Sequence, residues 1–317
     1  MFGKLMNSYF YGKSGKGDYT PEDMPTTRGQ LFRETLRTRL AGLLRLNLVY
    51  MLAWLPAMVI IAYHVLALYA VLAGIGEAAG DAAAAAQLLD ASKAIILTGL
   101  LWLIPALAIT GPFTAGLSFV TRNWARDEHA FVWSDYKDAV KENWKPALAM
   151  STITGFVPMI TYVCWMFYGD LAKTNPLFML PQVLTLTLGV IWMMSLLYAY
   201  PMMVTYRLTF KDMLKNCLLL TIGRLPGTLG IKLLGTLPLL IGAAVAYLTP
   251  YLHWVVLVCF LYYALYGYAL SRFVGASYVN AVFDKYINVK IEGAQINRGL
   301  HTDLDDDAED DLPADGQ

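Results

Sequence analysis

The chain is short of charge. Asp, Glu, Lys and Arg make up 15% of its 317 residues, against about 25% in ordinary soluble domains. With 57% AVILMFWYC and a mean hydropathy of +0.48, that shortage argues against a water-soluble enzyme. Cysteine is nearly lacking: Cys164, Cys217 and Cys259 are an odd number without the spacing of a disulfide framework or a zinc site, so they read as reduced core residues. The four histidines (His64, His129, His253 and His301) stand far apart with no i, i+4 partner, and no metal is expected on them. The middle of every long apolar run lacks Asp, Glu, Lys and Arg. Ion-coupled transporters and intramembrane enzymes place such groups there because their mechanisms need them. The sequence therefore predicts no catalytic, cofactor-binding or metal-binding residues, no enzyme and no nucleic-acid partner.

Three look-alike motifs also fail. Gly12-Lys13-Ser14-Gly15-Lys16-Gly17 has the wrong spacing for a phosphate-binding loop and follows no strand. The acidic run Asp303 to Glu309 has Ala308 where a calcium loop needs its turn glycine. The stretch Glu77 to Asp81 lacks the glycine that a permease docking loop carries at the place of Ala83.

Long apolar runs are abundant. Five are free of charge, over residues 46–76, 94–121, 146–169, 174–206 and 233–271. A bilayer-spanning helix takes roughly 20 such residues. The first four runs hold one span each. The fifth is too long for one and is interrupted at Thr249-Pro250-Tyr251-Leu252-His253, which predicts a helical hairpin and six spans in all. The zero net charge conceals a segregation: eight acids lie in the last 17 residues, leaving the rest of the chain at +8. Of the 24 Lys and Arg, 22 fall before span one, between spans two and three, between four and five, or after six; only Lys93 and Lys173 fall on the other side. By the positive-inside rule both termini are expected in the cytoplasm. The expected organisation is a cytoplasmic segment over 1–45, a membrane domain over 46–275, a cytoplasmic helix over 276–300 and a disordered acidic tail over 301–317.

A short element recurs ahead of spans one, three and five: Phe32-Arg33-Glu34-Thr35-Leu36-Arg37, Tyr136-Lys137-Asp138-Ala139-Val140-Lys141 and Phe210-Lys211-Asp212-Met213-Leu214-Lys215. Each reads aromatic, basic, acidic, any, aliphatic, basic. Val282 to Ile287 resembles a degenerate fourth copy. The fold class expected is thus all-α and polytopic, six transmembrane helices in three repeated hairpins, each introduced by a cytoplasmic interfacial helix. In the second copy Tyr136, Val140 and Trp144 share a face beside Lys137, Lys141 and Lys145, a pattern suited to the headgroup layer. Thr27, Ser134 and Thr209 stand upstream as caps, and Thr27 to Gln30 fits a capping box. Two roles remain open for these elements: a membrane-surface anchor that fixes topology, or a docking surface for a cytoplasmic partner. Pro56, Pro105, Pro158, Pro201, Pro238 and the pair Gly111-Pro112 are expected to break or kink the spans. The tyrosines of span six (Tyr262, Tyr263, Tyr266, Tyr268) suit helix contacts, with sugar or lipid binding as the alternative.

The stretch Leu103 to Leu117, with Thr110-Gly111-Pro112 at its centre, resembles the signature of the YesL-like bacterial membrane proteins. So do Arg122 to Glu128, the continuation through Phe131 and Tyr136 to Lys145, and the N-terminal Asn7-Ser8-Tyr9-Phe10-Tyr11-Gly12. The resemblance covers roughly residues 5–220; the loop over 74–93, with its alanine run, falls outside the pattern. It implies an accessory role in carbohydrate uptake, with ABC-transporter subunits as partners beside the lipid bilayer. A small-molecule channel or facilitator is the alternative function; the oligomeric state is not legible.

Overall fold

The computed structural model describes residues 24–77 and 80–301. The glycine- and lysine-rich segment 12–17, the aromatic segment 7–12 and the acidic tail from 302 onward lie outside the described residues, as do positions 78–79. Within the described residues the regular structure is helical: α1 (Arg28–Glu77), α2 (Ala82–Trp124), α3 (Ser134–Ala172), α4 (Met179–Thr205), α5 (Phe210–Gly223), α6 (Leu225–Leu248), α7 (Leu252–Tyr262) and α8 (Tyr268–Tyr286). A π-helical turn, Tyr263–Gly267, joins α7 to α8 into one run. Six runs are long and apolar enough to cross a membrane: α1, α2, α3, α4, α6 and α7 through α8. The hairpin expected in the fifth apolar run is present, with its break at Thr249 to Tyr251 between α6 and α7. The protein is an all-α, multi-pass membrane-type fold.

Three local expectations change. The loop expected over 74–93 is mostly helix: Asp81 caps α2 by accepting from the amides of Ala83 and Ala84 at 2.9 and 3.1 Å, and the alanines that follow are the strongest helix formers. The first two repeated elements are not separate interfacial helices, because α1 and α3 run continuously from them into their spans. Only the third is a helix of its own, α5, separated from α6 at Arg224, where Pro226 follows as a helix starter. The cytoplasmic helix expected over 276–300 ends at Tyr286. Beyond it Gly293, Asn297 and Gly299 have φ of 75°, 57° and 83°, left-handed backbone that no α-helix accommodates.

Pro56, Pro105, Pro112, Pro158, Pro201 and Pro238 all lie inside helices, and none ends one. The compensation is visible at the Gly111-Pro112 pair. Pro112 has no amide hydrogen to give the carbonyl of Ala108 four residues back. Ser151 of α3 stands there instead, its Oγ 2.7 Å from the Ala108 oxygen. The helices come this close because the facing residues are small: a Cβ on Gly111 would lie 2.1 Å from Ser151 Oγ and 2.2 Å from the carbonyl oxygen of Ala147. Gly116 against Tyr136 and Gly155 against Ile104 continue the same seam, with carbonyl and Cα atoms at 2.9 and 3.0 Å from the would-be methyl groups. In a bilayer, close backbone approach through small residues drives helix association where the hydrophobic effect does not.

A second irregularity is stabilised from a distance. The π turn shifts the carbonyl-to-amide register of span six and leaves groups without their usual partners. Fully buried Asn47 of α1 takes them up. Its Nδ2 donates to the carbonyls of Tyr263 and Ala264 at 2.9 and 2.8 Å, and its Oδ1 accepts from the amide of Ala269 at 2.9 Å. Around this join the tyrosines of span six pack as helix contacts: Tyr268 stacks on Trp54 at 5.4 Å and meets Tyr50 edge-on at 5.7 Å.

Candidate functional site: the basic face

The three elements stand on one pattern of burial. Arg33 and Arg37, Lys137 and Lys141, and Lys211 and Lys215 are all exposed. The residue two before the last base, Thr35, Ala139 or Met213, is buried in every case. The aromatic leads inward: Phe32 stacks on Phe273 of α8 at 5.1 Å, Tyr136 is buried against α2, and Phe210 is half-buried against the core around Leu196 to Met203. Asp138 and Asp212 are exposed, and Glu34 is half-buried. Elements one and two pack on one aromatic core, with Leu43, Tyr50 and Trp124; element three packs on the other. The exposed bases of elements one and two thus stand over one core and those of element three over the other.

Local sequence accounts for these placements. Gln30 Oε1 accepts from the amide of Thr27 at 3.0 Å while Thr27 Oγ1 accepts from the amide of Gln30 at 3.3 Å, the capping box expected there. Thr209 caps α5, accepting from the amide of Asp212 at 3.2 Å. Ser134 does not cap α3. Asp135 instead ties the entry, its carboxylate accepting from the amide of Phe131 at 2.9 Å. Beside the second element, Lys137 and Lys141 line the edge of a groove of about 360 Å³ whose walls are otherwise apolar, among them Leu52, Pro56, Phe113 and Trp133.

The segment offered as a fourth copy behaves differently. Asp284 is buried, and it is the hub of a network rather than an exposed charge. Arg28 donates to its carboxylate at 2.5 Å, Asn288 Nδ2 at 2.6 Å and the amide of Asn297 at 3.2 Å. Tyr206 donates to Asn288 Oδ1 at 2.6 Å; burial, with the Asp284 charge nearby, pushes the Tyr206 phenol up to about 12. Next to it Glu128 collects three guanidiniums, Arg126 at 2.9 Å, Arg298 at 3.4 Å and Arg122 at 3.5 Å. Asp127, at φ 55°, has its carboxyl raised by burial against the lowering pull of Arg39. Gly299 lies against this loop, where a Cβ would sit 2.8 Å from the Arg126 carbonyl oxygen. Together these contacts clamp residues 287–301 onto the start of α1 and the α2–α3 loop.

Motif reading missed the clamp because its members come from four separate places in the chain. The one available signal was the concentration of Asn, Asp and Arg in segments otherwise poor in polar groups. Among the described residues no three His, Cys, Asp or Glu side chains gather to hold a metal ion.

The protein family described as DUF624, of unknown function, matches residues 95–165. Over that stretch the chain is similar to DUF624. The matched stretch lies within the α2–α3 hairpin: it contains the glycine seam, the Ser151–Ala108 bridge, Glu128 with Arg122 and Arg126, and the second basic element. No curated protein and no solved structure matches the chain.

Proposed function

We propose that the protein is a YesL-like, non-enzymatic component of the bacterial cytoplasmic membrane that docks a subunit of a carbohydrate transporter on its basic face. Both termini then lie in the cytoplasm, where 22 of the 24 bases fall. The observation that carries the reading is the shared burial pattern of Arg33/Arg37, Lys137/Lys141 and Lys211/Lys215, with the fourth residue of each element buried beneath them. A helix that only rests on headgroups needs bases and an apolar stripe; apart from the Thr209 hydroxyl that donates to Asp212, it gives no reason for Glu34, Asp138 and Asp212 to recur at one position. A docking surface of mixed sign does, because charge pairs across an interface fix register and select partners.

The test is purification from native membranes in mild detergent, with mass spectrometry of what accompanies the protein. An ATPase or permease subunit in stoichiometric amount is the expected result. Purification alone, with solute flux from proteoliposomes containing this chain and no other, would replace the reading by a channel or facilitator.

A further inference from the structure

Helices α1, α2, α4, α6 and α8 and the π turn line a partly open cavity of about 270 Å³. Its walls carry two cations, Lys232 and Arg272, and no Asp or Glu. Lys232 lies seven residues into α6, about 10 Å along the axis from Leu225. It shares the helix face of Gly235 and Thr236, and Gly235 meets α8 at Ser271, beside Arg272: a Cβ there would be 2.6 Å from Ser271 Oγ. Among the described residues, no ion pair includes either cation. Lys232 feels the charge of Arg272 and of no acid. Arg272 has partial support, one Nη 3.4 Å from the Leu196 carbonyl oxygen and the guanidinium 5.3 Å from the Tyr200 ring.

Ser118 and Trp54 line the same space, with their Oγ and Nε1 sealed behind its wall and without a hydrogen-bond partner. Two cations uncompensated by any acceptor of full charge are costly in a low-dielectric wall unless an anion joins them. The volume falls just below the roughly 300–1,000 Å³ of pockets for drug-sized molecules, which suits a headgroup-sized anion.

We propose that this cavity binds a phosphate-type oxyanion between Lys232 and Arg272, with Tyr50 and Tyr268 flanking whatever carbon it carries. The phosphate of an anionic lipid headgroup and a free phosphate ester from the water share that chemistry. The site is separate from the docking residues, and its fate does not depend on theirs.

The experiment measures binding to the full-length protein in an uncharged detergent, by native mass spectrometry and thermal shift. Three probes are compared: dioctanoyl phosphatidylglycerol, inorganic phosphate and dioctanoylglycerol, which has the chains without the charge. Saturable binding of phosphatidylglycerol but not inorganic phosphate assigns a lipid headgroup; binding of inorganic phosphate as well assigns a soluble oxyanion. In both cases Lys232→Gln/Arg272→Gln should bind at least tenfold more weakly. Should that double variant not survive extraction, Lys232→Gln should show the loss and Lys232→Arg should stay within threefold of the parent. The proposal is overturned if neither anion binds the parent protein, if dioctanoylglycerol binds as tightly as phosphatidylglycerol, or if neutralising the cations changes nothing.

Discussion

Ser151 Oγ lies 2.7 Å from the carbonyl oxygen of Ala108, across the α2–α3 interface, where Pro112 withholds the amide that would otherwise bond it. A broken hydrogen bond within one helix is therefore repaired by its neighbour, and the two helices are locked in register by the repair. Ser151→Ala should lower the detergent melting stability by about 1 kcal/mol, the worth of one hydrogen bond. Gly111→Ala should cost more, on the order of 3 kcal/mol, since its methyl collides with Ser151 and with the Ala147 backbone. Equal melting of both variants and the parent would contradict the close seam.

Asn47 is the second such repair. Asn47→Leu keeps the branching of the side chain and removes three hydrogen bonds to the π turn, at a cost of roughly 2 kcal/mol. Hydrogen exchange should rise selectively at Ala269, whose amide loses its acceptor. Unchanged exchange there would mean that the turn holds itself.

The clamp of 287–301 depends on Asp284 and on the left-handed turn at Gly299. Asp284→Ala strips Arg28, Asn288 and Asn297 of their shared acceptor, and Gly299→Ala strains a residue at φ 83° against the Arg126 carbonyl. Each should make the segment beyond Tyr286 at least tenfold more sensitive to limited proteolysis. The membrane helices should melt within a few degrees of the parent.

Cysteine chemistry checks topology and burial together. Cys217 is buried and its thiol is pushed up to about 12 by desolvation, so at pH 8 about one part in ten thousand is thiolate. A maleimide should leave it unlabelled until the protein is denatured. In a background lacking the native cysteines, cysteines placed at exposed Gln87 and Thr174 should label from outside intact cells. Those placed at Glu142 and Arg207, also exposed, should label only after permeabilisation. External labelling at Glu142 would reverse the orientation.

The six spans were legible because a bilayer demands long charge-free stretches, and runs such as 233–271 admit little else. The break at Thr249 to Tyr251 was legible for the same reason. Helix ends were harder. The 74–93 segment reads as a loop by hydropathy, yet Asp81 and the alanines behind it are ordinary helix starters. The prolines read as breaks because a sequence shows the missing amide at Pro112 and hides the hydroxyl of Ser151 that answers for it. Lys232 and Arg272 were invisible as a site for a similar reason: each is unremarkable in its own segment, and only packing brings the two to one cavity. The basic elements are legible by their spacing; the burial of their fourth residue, which can be of any type in the pattern, is not.

The central claim, that the basic face docks a partner, is tested most directly by Lys137→Gln, Lys141→Gln, Lys211→Gln and Lys215→Gln combined. All four lysines are exposed, so folding should survive, and 18 bases remain on the same side to fix topology. The account predicts a chain that inserts, extracts and melts as the parent does but no longer co-purifies with its transporter subunit. If that subunit comes through the purification in undiminished amount, the elements are membrane anchors and the docking account is wrong.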